Sequence, residues 1–173
     1  MSLPLPRPVG VESDEELLCL RVTVDPDELR VTSHESRIRD KLSAQLPEGC
    51  ELLSVNVARA GRSFQPSSAT YVLAVKAEYI NDQLKATIAR LLSSENLNIQ
   101  RRTGAEHSKI KNLDVRVFLK SIKLDGRSII VDCNISSAGS IRVDEILGLL
   151  ELDEGKLASP VRRTNVQWQV NES

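Results

Sequence analysis

Aromatic residues are scarce, making up only 3% of the 173 residues. Proteins that recognise single-stranded RNA by stacking its bases use aromatic side chains as platforms. The few aromatic residues here are scattered along the chain, which counts against a stacking platform. They are Phe64, Tyr71, Tyr79, Phe118 and Trp168.

Histidine and cysteine are also rare. The histidines are His34 and His107, and the cysteines, Cys19, Cys50 and Cys133, are widely spaced with no CxxC pair. Metal and cluster sites need grouped histidine or cysteine ligands, so we predict no metal site and no cofactor. We interpret the cysteines as reduced thiols.

Several other patterns are absent. The sequence has no P-loop or dinucleotide-binding glycine pattern and no nucleophile–base set, so no catalytic residue is predicted. No apolar run approaches the roughly 18 residues of a membrane span, and the first residues lack the apolar core of a secretory signal. We therefore predict a cytoplasmic protein with no membrane partner.

Net charge is small, since 23 lysines and arginines face 24 aspartates and glutamates. A protein that coats duplex nucleic acid non-specifically is usually far more basic. Positive charge is nevertheless concentrated in residues 97–126, the basic stretch. Its basic side chains are Arg101, Arg102, Lys109, Lys111, Arg116, Lys120 and Lys123.

Two interpretations of the basic stretch stay open. Its side chains could hold the phosphates of an RNA or of a partner's nucleotide, or they could be the solvated faces of two strands and a loop. Further basic residues, Arg142, Arg162 and Arg163, could extend such a surface. The candidate partner-binding residues are therefore Arg101, Arg102, Lys109, Lys111, Arg116, Arg142, Arg162 and Arg163.

Residues 70–173 predict one α+β unit. Alternating apolar residues and one helix that Asn81 can cap give the order β-α-β-β-β-α-β. That order is a ferredoxin-like β-α-β-β-α-β unit with one extra central strand. Residues 113–119 are predicted as a single strand, Asp125-Gly126 as a hairpin turn, and the last strand with Val166 inward and Arg163 on the polar face.

Residues 1–60 predict an incomplete copy of the same unit, reduced to β-β-α-β. A proline-rich extended segment precedes a strand at 16–24, a helix at 33–46 and a strand at 51–59. Residues 61–69, rich in glycine, serine and proline, predict a linker. The incomplete copy leaves a sheet edge uncovered, so we expect that Met1 is not the true start.

Four segments resemble the radical SAM-linked domain family: residues 1–22, RRTG…KIKNLDVRVFL, GSIRVDEIL and VRRT. The resemblance runs through nearly the whole chain in order, with Val117 and Val143 where the family tends to have proline. It implies an accessory partner of a B12-type radical SAM protein, and a strand and helix ahead of residue 1.

Taken together, these observations favour a non-catalytic accessory domain that works with a radical SAM enzyme and offers a basic face to RNA. The alternative is a protein–protein assembly module with no nucleic-acid role. An enzyme in its own right is the third hypothesis, and it lacks a visible acid–base or metal set. Substrate and oligomeric state are not determined by the sequence.

Overall fold

A computed structural model describes residues 3–20, 34–57, 61–103 and 109–172. The described chain is α+β, as predicted, and none of its helices is long and apolar enough to cross a membrane. The elements are β1 (Val11–Ser13), α1 (His34–Ser43), β2 (Arg62–Ala74), α2 (Asp82–Ser93), β3 (Asn98–Thr103), β4 (Lys109–Asp114), β5 (Leu119–Asp125), β6 (Ser128–Asn134), α3 (Val143–Leu149) and β7 (Val161–Glu172).

Five strands form one sheet in the order β1-β7-β2-β6-β5, and β3 and β4 form a separate two-stranded hairpin. Neighbours in the sheet are antiparallel except β1 and β7, which are parallel. β5 and β6 meet in a tight turn that pairs Asp125 with Ser128. Gly126 takes φ +57° there, a value that costs glycine little, so the predicted hairpin turn is confirmed.

One face of the sheet and the helices α2 and α3 share a single apolar core. α2 begins where predicted, because the Asn81 side chain accepts a hydrogen bond from the Leu84 N–H at 3.0 Å. Its apolar residues then recur at helical spacing and face the sheet. The core includes Leu73, Leu84, Ile88, Leu91, Ile129, Val131, Ile146 and Leu147.

The prediction of one strand over residues 113–119 is wrong. β4 ends at Asp114, a short 3₁₀ turn covers Arg116–Phe118, and β5 starts at Leu119. The cause is the Asp114 carboxylate, which accepts hydrogen bonds from the N–H groups of Leu97 and Arg116 at 2.8 and 2.9 Å. A side chain that bonds its own backbone two residues on turns the chain out of a strand.

In the first third, the predicted helix is confirmed as α1, but residues 51–57 form no strand. Leu53 and Val57 are 56% and 60% exposed, so within the described residues their alternation packs against no sheet. Residues 16–20 are also outside any regular strand, and residues 21–24 lie outside the described chain.

The linker predicted for residues 61–69 is instead the first half of β2, from Arg62 onward. Ala69 is buried in the core, and Pro66 lies next to a register shift opposite β7, where its missing N–H is tolerated. β1 also joins this sheet through β7. Sheet pairing therefore crosses the predicted boundary between the two units.

Candidate binding surface on the β3–β4 hairpin

The β3–β4 hairpin lies between α2 and β5 in the chain and has one inner and one outer face. Ile99 and Leu113 are paired across it and pack against the core. Since side chains alternate along a strand, the intervening residues face outward. The outward residues Asn98, Gln100, Arg102, Ile110 and Asn112 are all exposed.

Arg101 is on the inner face and anchors the hairpin to α3. Its Nε and Nη2 donate to the two carboxylate oxygens of Glu145 at 2.6 and 2.7 Å, and Nη2 also donates to the Ser140 carbonyl at 2.8 Å. Only 15% of the Arg101 side chain and 10% of the Glu145 side chain are exposed. This bidentate pair leaves Arg101 little capacity for an external phosphate.

Glu145, in the first turn of α3, also accepts a hydrogen bond from the backbone N–H of Arg142 at 2.8 Å. Burial alone would raise the pKa of Glu145, but the hydrogen bonds from Arg101 and from the Arg142 backbone lower it below its usual value of 4.5. Glu145 is therefore ionised at neutral pH. It joins the hairpin and the start of α3 into one charged cluster.

The Arg116 side chain is also hydrogen-bonded within the fold, to backbone carbonyls near the C-terminal end of α2. Its guanidinium donates to the carbonyls of Ser94 at 2.9 Å, Leu119 at 2.7 Å and Leu92 at 3.4 Å. Terminal carbonyls of a helix have no partner within the helix, and a basic side chain there satisfies them. Arg116 thus closes α2 onto the start of β5.

Arg102, Lys111 and Arg142 remain exposed, and we call them the basic hairpin surface. Lys111 is directly opposite Arg101 across the hairpin, and Arg142 is held beside Glu145 by its backbone. Lys109 is the first residue of β4 and its side chain lies outside what the structure describes. Three of the eight predicted residues are therefore exposed on or beside the hairpin, with Arg102 on its outer face and Lys111 on the face that carries Arg101.

The other two predicted residues are on β7. Arg162 is exposed, with its Nε 3.7 Å from an Asp14 carboxylate oxygen. Arg163 was predicted on the polar face, but it is 1% exposed. Tyr71 pairs with Arg163 while Thr70 pairs with Asn165, so Thr164 is an extra residue, and this bulge turns Arg163 onto the core face.

A hydrogen-bond network that the sequence analysis missed crosses the opposite face of the sheet. The Asp132 carboxylate accepts from Thr70 Oγ1 and from Ser121 Oγ, both at 2.7 Å, and so joins β2, β6 and β5. The Ser121 hydrogen bond is the main reason that the pKa of Asp132 lies below its usual value. Its only sequence signal was alternation, which places Thr70 and Asp132 away from the core.

Cys133 is buried and burial raises its pKa to about 12, whereas Cys50 is exposed. All three cysteines are free. In the described part of the chain, no group of three or more histidine, cysteine, aspartate or glutamate side chains could hold a metal ion.

Comparison with known families identifies a match over most of the chain. The family described as "Uncharacterized protein conserved in bacteria (DUF2344)" matches residues 1–145. This match includes β3, β4 and the start of α3, and so contains the basic hairpin surface. No curated protein and no solved structure matches the chain.

Proposed function

The chain belongs to the DUF2344 family of proteins conserved in bacteria, and we propose that it is a non-catalytic accessory domain that binds RNA through the basic hairpin surface. The observation that supports this proposal is that some basic side chains are hydrogen-bonded within the fold while others are exposed. Arg101 and Arg116 fix the hairpin in place, while Arg102, Lys111 and Arg142 are left exposed around it.

The outer face of the hairpin suits this role. It presents the amides of Asn98, Gln100 and Asn112 beside Arg102. Arginine and lysine hold phosphates, and asparagine and glutamine can donate to and accept from phosphates, sugars and base edges. This surface needs no aromatic platform, in keeping with the composition.

We further propose that β2, α2, β5, β6, α3 and β7 form a ferredoxin-like unit into which the hairpin is inserted. Support comes from the strand order β7-β2-β6-β5 and from the antiparallel pairing of each neighbouring pair. In that arrangement the hairpin is an addition to a complete unit. Additions on a rigid scaffold commonly carry binding residues.

We also propose that the enzyme served by this domain is a radical SAM protein. This part rests on the resemblance of four segments to the radical SAM-linked domain family. A radical SAM reading frame beside the gene, and co-purification of the two proteins from their native source, are the expected results. If neither result is found, the proposal of a radical SAM partner is contradicted. RNA binding is then tested on its own.

RNA binding is tested with a fluorescein-labelled mixed-sequence single-stranded RNA 20-mer, by fluorescence anisotropy over a salt series. If Arg102, Lys111 and Arg142 each neutralise one phosphate, log K should fall against log salt with a slope of roughly −2. Replacing Arg102 and Lys111 together by alanine should weaken binding and reduce that slope by about 1.4.

The matched control is the double change Arg37→Ala plus Lys41→Ala, which removes the same charge from exposed positions on α1. It should leave the affinity and the slope close to those of the unchanged protein. An equal loss in both double variants would show that binding is non-specific attraction to charge. A flat salt response would contradict the phosphate contacts themselves.

A second function is favoured by the exposed apolar residues near the same hairpin. Ile110 and Val117 are 60% and 66% exposed. Exposed apolar residues close to one another are typical of a protein-binding surface. In this case, Ile110→Ser would abolish co-purification of a protein partner, whereas the double change at Arg102 and Lys111 would not.

A further inference from the structure

β7 has a free outer side over most of its length. On the side away from β2, β1 pairs only with residues 161–163. Among the residues that the structure describes, no strand pairs on that side with residues 165–171, which we call the β7 edge. The backbone N–H and C=O groups that point outward along the β7 edge are therefore open to another strand.

The β7 edge lacks the residues that usually protect a free strand. Its sequence, NVQWQVN, contains no charged residue, no proline and no glycine. At the other end of the sheet, the edge strand β5 carries the exposed Lys120 and Lys123. Natural sheets discourage edge-to-edge pairing with charged side chains, lysine above all, and with proline. The β7 edge is therefore suited to strand pairing in a way that β5 is not.

The β7 edge also reads the same in both directions, with Trp168 at its centre. When two copies of one strand pair antiparallel across a two-fold axis, residues at equal distances from the axis lie opposite each other. An axis at Trp168 gives three further pairs of identical residues: Asn165 with Asn171, Val166 with Val170, and Gln167 with Gln169. Because an amide carries both donors and an acceptor, two identical amides can hydrogen-bond to each other.

The backbone of β7 is oriented for this register. Ser67 Oγ donates to the Gln167 carbonyl at 3.2 Å, so this carbonyl faces β2. Successive residues of a strand direct their N–H and C=O groups to opposite sides, so those of Trp168 point to the free side. Pro66, which is opposite Trp168 in β2, has no N–H to donate to it. Trp168 and its copy in a second chain can therefore exchange two backbone hydrogen bonds.

The side chains match by face as well. Val166 is buried in the core, Trp168 packs against the core, and Val170 is 50% exposed. Pairing about Trp168 sets Val170 of each copy opposite Val166 of the other, so one apolar row continues across both chains. The exposed Gln167 and Gln169 lie on the other face of the sheet and form the amide pairs there.

We propose that the chain forms a two-fold symmetric dimer in which the β7 edge pairs antiparallel with the β7 edge of a second copy, with Trp168 at the axis. The two five-stranded sheets are then joined through their β7 strands. Each copy uses the same edge, so the assembly closes at two chains. This interface is separate from the β3–β4 hairpin and does not rest on RNA binding.

The register is tested with charges at Gln167 and Gln169, by sedimentation velocity of the full chain over a concentration series. Gln167→Lys plus Gln169→Lys sets lysine opposite lysine, and Gln167→Glu plus Gln169→Glu sets glutamate opposite glutamate. Each should raise the dimer dissociation constant at least about tenfold, because like charges directly opposite each other repel. An equimolar mixture of these two variants should dimerise again. Gln167→Lys plus Gln169→Glu, which sets lysine opposite glutamate, should dimerise by itself.

The matched control is Ser63→Lys plus Gln65→Lys, which adds the same charge at exposed positions of the neighbouring strand β2. It should leave the dimer unchanged, and circular dichroism checks that every variant folds. If a variant fails to fold, hydrogen exchange of the Trp168 amide in the unchanged protein decides the question, since it should slow as the protein concentration rises. A chain that stays monomeric, assemblies larger than two chains, equal weakening by the control, or a mixture that stays monomeric would overturn the proposal.

Discussion

The guanidinium groups of Arg101, Arg116 and Arg163 each bond to acceptors on more than one residue. Arginine carries five N–H donors in a fixed plane, so a single side chain can satisfy a carboxylate and a carbonyl together. Composition shows only that these residues are positive. Whether each arginine makes hydrogen bonds within the fold or stays exposed depends on which acceptors the fold brings near it.

Arg101→Ala should lower the free energy of unfolding by about 2–4 kcal/mol, because it leaves the buried Glu145 carboxylate without its charged partner. The measurement is urea unfolding at neutral pH. Arg102→Ala, the neighbouring exposed residue, should change stability by no more than about 0.5 kcal/mol. Equal effects of the two changes would contradict the anchoring role of Arg101.

At the scale of elements, the types of α2 and β6 followed from periodicity, whereas the break after β4 followed from a side chain that bonds the backbone. α2, β6 and the β5–β6 turn were predictable, since Asn81, the alternation of residues 129–133 and Gly126 act locally. The end of β4 at Asp114 and the extra residue at Thr164 were not. Asp114 bonds the N–H of Leu97, 17 residues earlier, as well as that of Arg116. The extra residue at Thr164 is set by the pairing of β7 with β2.

Arg116→Ala should destabilise the protein by about 1–3 kcal/mol, because three carbonyls at the junction of α2 and β5 lose a charged donor. Arg116→Lys should restore only part of this loss, since one ammonium group cannot reach acceptors in several directions. Thermal unfolding followed by circular dichroism measures both. Lys120→Ala, an exposed change on β5, serves as the control and should have almost no effect.

For the whole molecule, the decisive feature is how residues 3–20 attach to the sheet. β1 pairs with β7, the Asp14 N–H donates to the Arg163 carbonyl at 3.0 Å, and Glu16 binds the Arg163 side chain. These bonds join positions almost 150 residues apart in the chain. Residues from Leu5 to Val11 of the same segment also line a cavity that Val143 and Leu147 of α3 border on the other side.

Glu16→Ala should lower the free energy of unfolding by about 2–4 kcal/mol. The reason is that Arg163 is 1% exposed and would keep its charge with no carboxylate beside it. Glu15→Ala, an exposed change at the adjacent position, should have little effect. Hydrogen exchange of β1 amides, measured alongside urea unfolding, should rise in Glu16→Ala alone. Unchanged exchange and stability would show that the pair with Arg163 does not hold the segment.

The sequence by itself determined the α+β class, the positions of α2, β6 and the β5–β6 turn, and the concentration of positive charge in residues 97–126. These properties come from composition and from periodicities of two and 3.6 residues, which act over a few neighbouring residues. Tertiary structure decided which arginines are exposed: Arg101 meets Glu145, Arg116 meets the end of α2, and Arg163 is turned inward by a bulge. The basic stretch is thus divided into anchors and an exposed surface, because the acceptors that occupy the anchors lie on other elements.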